Sequence, residues 1–327
     1  MATTDLVLEG GGTKLPGLVG AVEALAHGGY DFHRIAGTSA GAIVGSLTAA
    51  GISPPTLRQK VLEQDFGEFE DLSPAFRPVP WLGRVQGLLL HKGMYVGEAL
   101  HDFLAELLAD QGVHTWGDLK FADPGSAIPA ERSYRLVVIV SDVSRGRMLR
   151  LPWDYEETLG VDADSQSVAE AVCASAASPF FFRPRSLPAR PSVAGGDSVL
   201  GADGGLLSNF PVDVFDRKDS KPARWPTFGV MLSARQTAAA EWRPNATTYQ
   251  YAKSLLSTMI NAHDLRHIDD PSVTERTVFV DTTGHSSTDF ALTTADKLDL
   301  ISSGRKAGEK FLADWDWQEW KDRFDRK

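Results

Sequence analysis

The residues Gly37-Thr38-Ser39-Ala40-Gly41 carry the most information about the architecture of this chain. An apolar run that includes Phe32 and Ile35 precedes them, and small residues continue to position 50. The pattern predicts a buried β-strand, a tight turn and an α-helix in direct succession. A serine at the apex of such a turn has an unshielded hydroxyl, because the flanking glycines let neighbouring backbone pass without a Cβ clash.

Ser39 has two possible roles in this turn. It is either a nucleophile at a strand-turn-helix elbow or a residue that only caps the following helix. The five-residue pattern is short, and a chain with 30 glycines in 327 residues can contain it by chance. The surrounding sequence therefore has to distinguish between the two roles.

The residues before the elbow extend an α/β pattern. Leu6-Val7-Leu8 predicts a short strand that runs into Gly10-Gly11-Gly12, and Pro16 opens a predicted helix that ends near Gly28. A strand, a loop, a helix and a second strand in this order favour parallel strands in the middle of an α/β sheet.

Further elements follow along the chain. We expect strands at residues 135–141, 148–151, 199–203, 227–232 and 277–280. We expect helices at residues 54–64, 97–110, 167–177, 246–266 and 293–315, the last with a capping box of Thr293 and Asp296. Residues 65–92, rich in Phe, Pro and Leu, are expected to be irregular. Because no linker or repeat interrupts the pattern, one continuous domain over residues 1–327 is the simplest interpretation.

The composition narrows the class of protein. A formal net charge of −10 argues against nucleic-acid binding and against purely electrostatic docking on anionic membranes, so a membrane contact would be mainly apolar. The single cysteine, Cys173, excludes an intramolecular disulfide, and the N-terminus lacks a basic and apolar signal segment. Since no apolar run reaches the length of a membrane span, we expect a cytoplasmic protein that is soluble or peripheral.

Three predicted loops carry residues suited to catalysis. In a parallel sheet, functional groups gather where the strands end, and the glycine triplet, Ser39 and Asp203 all follow predicted strands. Amides of consecutive glycines suit a phosphate or a developing oxyanion, although the spacing of nucleotide-binding motifs is absent. Asp203 is either part of an ordinary Asp-Gly turn or a base for Ser39, with a pKa raised by burial.

A histidine is the alternative base. The candidates are His263, His267 and His285, of which His285 lies in a loop rich in Thr, Ser and Gly and suits a triad best. His263 and His267 lie four residues apart on a predicted helix. A solvated polar face is the simpler interpretation of that pair, because a metal site would need a third placed ligand.

Four segments resemble the motifs of the patatin-like phospholipase family. They are Glu9-Gly10-Gly11-Gly12-Thr13-Lys14, Gly37-Thr38-Ser39-Ala40-Gly41, Ala176-Ala177-Ser178-Pro179-Phe180-Phe181-Phe182 and Ala202-Asp203-Gly204-Gly205-Leu206-Leu207-Ser208-Asn209-Phe210-Pro211. The resemblance implies a three-layer α/β/α sandwich with a mostly parallel central sheet. It places a motif-bearing core at about residues 6–232, with the elements of residues 246–327 packing on it.

The resemblance also implies an activity. In that family a serine and an aspartate hydrolyse acyl esters without a histidine, which makes Ser39 the nucleophile and Asp203 the base of a lipid acyl hydrolase, of phospholipase A or lysophospholipase type. The amides of Gly10, Gly11, Gly12 and Ala40 would form the oxyanion hole. We expect supporting roles for Lys14, Gly37, Gly41, Gly204 and Gly205, and neither a cofactor nor a metal ion.

The start of the first helix departs from the family pattern. Leu15 and Pro16 follow Lys14, where patatin-like sequences usually have a glycine, so we expect the loop to persist with a slightly re-shaped helix start, and the exact set of oxyanion donors stays open. Lys14 either adds positive charge near the oxyanion or a lipid phosphate, or it is a solvated lysine.

A phospholipid or other lipid ester substrate requires apolar surface near the site. Two groups of residues are candidates for it, and each could instead fill the core: Val79, Trp81, Leu82, Val85, Leu88, Leu89 and Leu90 in the first, and Phe180, Phe181 and Phe182 in the second. Trp317, Trp320 and Phe324 lie on one face of a predicted C-terminal helix, which either anchors at a membrane interface or packs on its own domain.

Three other functions use the same motifs. One is a histidine-dependent esterase, and a second is an acyltransferase that passes the acyl group to an alcohol or a lysolipid. The third is a lipid-binding regulatory module without turnover. The presence of both Ser39 and Asp203 favours a catalytic protein.

Overall fold

A mixed eight-stranded sheet flanked by helices forms the centre of the molecule. The computed structural model describes residues 1–73, 79–219, 221–232 and 270–324, together with Tyr251, Ser254 and Thr258. The architecture is the three-layer α/β/α arrangement that the family resemblance implies.

The structure describes ten strands, which include all the predicted ones. They are β1 (Ala2–Leu8), β2 (Tyr30–Thr38), β3 (Gly93–Tyr95), β4 (Leu136–Asp142), β5 (Arg147–Leu151), β6 (Phe180–Phe182), β7 (Arg185–Pro188), β8 (Ser198–Asp203), β9 (Thr227–Met231) and β10 (Thr277–Phe279). The sheet order is β10-β9-β1-β2-β4-β8-β7, and β5 also pairs with β4. The short strands β3 and β6, which the sequence did not predict, form a separate parallel pair.

Ten helices are described. They are α1 (Leu15–His27), α2 (Ala40–Ala49), α3 (Pro54–Glu63), α4 (Pro80–His91), α5 (Glu98–Ala109), α6 (Val168–Ser175), α7 (Pro191–Ala194), α8 (Pro271–Thr274), α9 (Thr294–Asp314) and α10 (Trp317–Phe324). The predicted helix at residues 246–266 lies outside the described residues, apart from the three isolated positions. Within the described part of the chain, no helix is both long and apolar enough to cross a bilayer.

The direction of β8 differs from our expectation. β10, β9, β1, β2 and β4 are parallel, whereas β8 is antiparallel to β4. Ile139 of β4 pairs with Thr38 of β2 on one edge and with β5 on the other. The next residue, Val140, pairs with β5 and with Asp203 of β8. β2 and β8 therefore occupy the same edge of β4 and meet end to end.

The prediction of an irregular segment at residues 65–92 is wrong for its second half, where α4 lies. Pro80 occupies the first turn of that helix, where the missing N–H of proline costs nothing. The buried positions of α4 are Gly83 and Gly87 rather than large apolar residues. Pro80 and the two glycines are residues that usually signal turns and loops, which explains the error.

The C-terminal elements contain the predicted capping box and decide between the two alternatives for the last helix. α9 begins with a capping box, in which Thr293 accepts a hydrogen bond from the Asp296 amide and Asp296 accepts one from the Thr293 amide. α10 packs on its own fold, because the indole nitrogen of Trp320 donates to the Ser272 carbonyl over 3.0 Å. An ion pair of 2.7 Å between Arg323 and Glu275 holds the same helix.

Candidate active site

The elbow at Ser39 has the geometry that the sequence predicts. Ser39 lies between β2 and α2 with φ 52° and ψ −119°, a backbone conformation that costs a non-glycine residue strain energy. A Cβ atom on Gly37 would lie 2.3 Å from the Gly41 carbonyl oxygen, and one on Gly41 would lie 2.2 Å from the Leu8 carbonyl oxygen. Both glycines are therefore required for the turn to pack against the sheet.

Ser39 and Asp203 are in direct contact. The Ser39 Oγ donates a hydrogen bond of 3.1 Å to the Asp203 Oδ2, and the Gly205 amide donates one of 2.9 Å to the Oδ1. The two side chains belong to residues that are only 7% and 6% exposed. Their contact follows from the sheet, because they sit at the facing ends of β2 and β8.

Burial changes the acidity of Asp203. Removal from water raises the pKa of its carboxyl from 3.8 to about 6, against the opposing effect of the hydrogen bonds from Gly205 and Ser39. A carboxylate with a pKa in this range can accept a proton near neutral pH. The site therefore contains a hydroxyl and a suitably basic acceptor already joined by a hydrogen bond.

The glycine loop runs alongside Ser39, but its amides are not equivalent. The space for a Cβ on Gly10 lies 3.2 Å from the Ser39 Cβ, so the loop packs close to Ser39. The Gly10 amide donates to the Asn209 carbonyl over 3.1 Å, which removes it from the predicted set of oxyanion donors. Within the described residues, the amides of Gly11, Gly12 and Ala40 donate to no other group, and these three remain available.

Two residues outside the predicted site hold its parts in place. The Ser175 Oγ accepts the Ser39 amide over 2.9 Å and donates to the Ile139 carbonyl over 2.6 Å. The Asn209 side chain donates to Glu9 Oε1 and to the Gly10 carbonyl, both over 3.3 Å. Asn209 lies in a quoted motif, whereas no local signal distinguishes Ser175 from other helical serines.

The remaining candidates have partners of several kinds. Lys14 donates to Thr282 Oγ1 over 3.0 Å, at the start of α1. His285 is 3.1 Å from Asp299, and no histidine in the described chain forms a hydrogen bond with Ser39 or Asp203. His263 and His267 lie outside the described residues. Gly204 and Gly205 form the turn that follows Asp203, as predicted.

Comparison with known proteins places this site in a family. A sequence profile described as patatin-like phospholipase matches residues 6–216, which include the glycine loop, the elbow and the Asp203 turn. The chain belongs to the patatin-like phospholipase family. Membership of this family supports hydrolysis of lipid esters as the general activity.

Individual relatives extend the comparison over most of the chain. The patatin-like protein is 34% identical over 311 residues to the uncharacterized protein YqhO of Bacillus subtilis, covering 95% of this chain and 98% of YqhO. The crystal structure of VipD from Legionella pneumophila matches 95% of this chain with a TM-score of 0.51 at 16% identity. ExoU from Pseudomonas aeruginosa, in complex with SpcU, matches the same share with a TM-score of 0.45 at 18% identity.

The two solved structures are longer than this patatin-like protein. The match covers 66% of VipD and 53% of ExoU. The likeness to VipD supports the fold, and the three-layer architecture agrees with it.

Proposed function

We propose that this protein is a lipid acyl hydrolase of the phospholipase A or lysophospholipase type, in which Ser39 is the nucleophile and Asp203 the base. The observation that carries the proposal is the 3.1 Å hydrogen bond between Ser39 Oγ and Asp203 Oδ2 at a strained elbow. Family membership supports the substrate class, a carboxylic ester of a lipid.

The reaction proceeds in two steps. Asp203 accepts the hydroxyl proton as Ser39 Oγ attacks the ester carbonyl carbon, and the alkoxide of the lipid leaves with that proton. Water, deprotonated by Asp203, then attacks the acyl-enzyme, which releases the fatty acid and restores the serine hydroxyl. The amides of Gly11, Gly12 and Ala40 stabilise the negative oxygen of each tetrahedral intermediate.

The conformation of Ser39 suits this role. Its amide is bound by Ser175, so the strained φ is held before the substrate arrives. The N-terminus of α2 begins directly after the nucleophile, and its partial positive charge favours an anion at this position. The free-energy cost of orienting Ser39 and the N-terminus of α2 therefore arises during folding and does not add to the activation barrier.

The two roles are tested by fatty-acid release from phospholipid micelles. Ser39→Ala should lower the rate at least about 10³-fold, and Asp203→Asn about 10²-fold or more, because each removes one partner of the proton transfer. Ser46→Ala is the matched control, since Ser46 is a buried serine of α2 whose hydroxyl donates to the Ile43 carbonyl. Release at the wild-type rate by either dyad variant would contradict the proposal.

The alternative functions give different results with the same samples. A histidine-dependent esterase would lose activity with His285→Ala, whereas the dyad predicts full retention, because His285 bonds Asp299. A regulatory module without turnover would fail to label Ser39 with a fluorophosphonate. An acyltransferase would transfer the acyl group to an added lysolipid in preference to water.

A further inference from the structure

Residues 72–97 differ in charge from the rest of the chain. They contain no Asp or Glu, although the full chain has 43 acidic residues and a net charge of −10. Arg77, Arg84 and Lys92 fall within the same interval. The segment therefore has basic residues and no acidic residue of its own, although Arg84 lies 3.8 Å from Glu70, just before the segment.

The helix α4 within this segment has its large apolar side chains on the outside. Trp81 is 67% exposed, Leu89 75% and Leu90 67%. A Cβ on the buried Gly87 would lie 2.7 Å from the Gly93 carbonyl oxygen, so the glycine side of the helix presses against β3. Exposed clusters of this kind on a monomer mark a surface that contacts an apolar partner.

The exposed face continues toward the active site. β3, which follows α4, pairs with β6, and Gly93 lies opposite Phe180. Phe180 is 40% exposed. Three residues before it, the Ala177 carbonyl accepts the Asp203 amide over 2.9 Å. Strand β3 therefore connects α4 to β6, and Ala177, just before β6, binds the backbone of Asp203.

We propose that α4 and Phe180 form a docking surface for an anionic phospholipid bilayer. The side chains of Trp81, Leu89 and Leu90 enter the interface, while Arg84 and Lys92 face the lipid phosphates. The chain as a whole carries a net charge of −10, which disfavours purely electrostatic docking of its other faces on an anionic bilayer. This docking surface rests on the proposed function, because it would bring the Ser39 site to lipid substrates in a bilayer.

Binding can be measured apart from turnover in the Ser39→Ala protein. Co-sedimentation is compared for vesicles of phosphatidylcholine alone and of phosphatidylcholine mixed with phosphatidylglycerol. We expect tighter binding to the mixed vesicles, weakened by salt. Leu89→Glu should weaken binding at least about tenfold, since it replaces an apolar side chain that would enter the bilayer with a charged one. Arg84→Gln combined with Lys92→Gln should reduce the preference for phosphatidylglycerol about tenfold or more.

Leu298→Glu is the matched control, because Leu298 is a 41% exposed leucine in a helix outside this surface. It should bind as the parent does. Thermal melting verifies that each variant is folded, and Trp81→Ser provides a second variant if Leu89→Glu is not. Equal binding by folded Leu89→Glu and Leu298→Glu would overturn the proposal.

Two further outcomes distinguish failure of the docking surface from failure of the proposed function. If the parent ignores both vesicles but forms a dimer that Leu89→Glu dissociates, a second copy of the chain occupies the surface and the proposal is wrong. If vesicles bind as expected but wild-type protein hydrolyses neither phospholipid nor a water-soluble ester, the proposed function fails while the docking surface stands.

Discussion

Asp203 combines two properties that normally exclude each other, deep burial and the negative charge that the proposed base must carry. Its carboxylate oxygens receive one hydrogen bond each, from Ser39 and from the Gly205 amide. These bonds compensate only part of the lost hydration, so the pKa stays raised, at about 6. The residue is thus basic enough for proton transfer because its charge is incompletely stabilised.

The raised pKa predicts the pH dependence of the reaction. The base is active only when deprotonated, so kcat/KM for a water-soluble ester should fall about tenfold per pH unit below about 6 and level off above it. A pH profile over the range in which the protein stays folded measures this. A single inflection near the ordinary aspartate value of 3.8 would contradict the assignment of Asp203.

At the scale of elements, the glycine loop and the turn after β8 are tied together by Asn209. Its carbonyl accepts the Gly10 amide, and its side chain donates to Glu9 and to the Gly10 carbonyl. Glu9 in turn accepts the Leu232 amide at the end of β9. The loop that is to hold the oxyanion is therefore positioned by two strands other than its own.

Removal of the Asn209 side chain should loosen the glycine loop without changing the contact between Ser39 and Asp203. Asn209→Ala is expected to lower kcat by ~10–100-fold with little change in KM, because the amides of Gly11 and Gly12 lose their alignment. Steady-state kinetics on a soluble ester separate the two constants, and fluorophosphonate labelling of Ser39 shows that the nucleophile remains in place. An unchanged kcat would mean that the backbone alone holds the loop.

The elements that the sequence predicted correctly are those specified by local chemistry. The elbow at Ser39 and the capping box at Thr293 depend on residues within a few positions of each other. The direction of β8, the role of Ser175 and the outward face of α4 depend on partners distant in the chain. The spacing of residues along the chain does not indicate which distant residues they contact, so these features could be found only in the structure.

At the scale of the whole molecule, Asp203, the proposed base, reduces the stability of the fold above the pH at which it ionises. The pKa of Asp203 is higher in the folded protein than the ordinary value of 3.8, so the neutral form favours folding. This contribution is complete below about pH 3.8 and is lost as the pH rises through about 6. Above that pH the native sheet contains a buried charge that the unfolded chain would hydrate.

Replacement of the base should therefore stabilise the protein while abolishing its activity. At about pH 8, Asp203→Asn is expected to raise the free energy of unfolding by up to about 3 kcal/mol, and the gain should vanish below about pH 4. Urea unfolding at both pH values measures the difference. The exposed Asp213→Asn serves as the control, with a change under about 0.5 kcal/mol. A destabilised Asp203→Asn at high pH would contradict the argument.

The ends of β2 and β8 meet on β4, so the contact on which the proposed ester hydrolysis depends forms late in folding. Ser39 and Asp203 are separated by 164 positions, and β4 must be in place before either strand end is aligned on it. Pairings over such distances form slowly, after local elements. A chain that extends only as far as β4 contains Ser39 without Asp203, so the proposed catalytic pair cannot form before β8 joins the sheet.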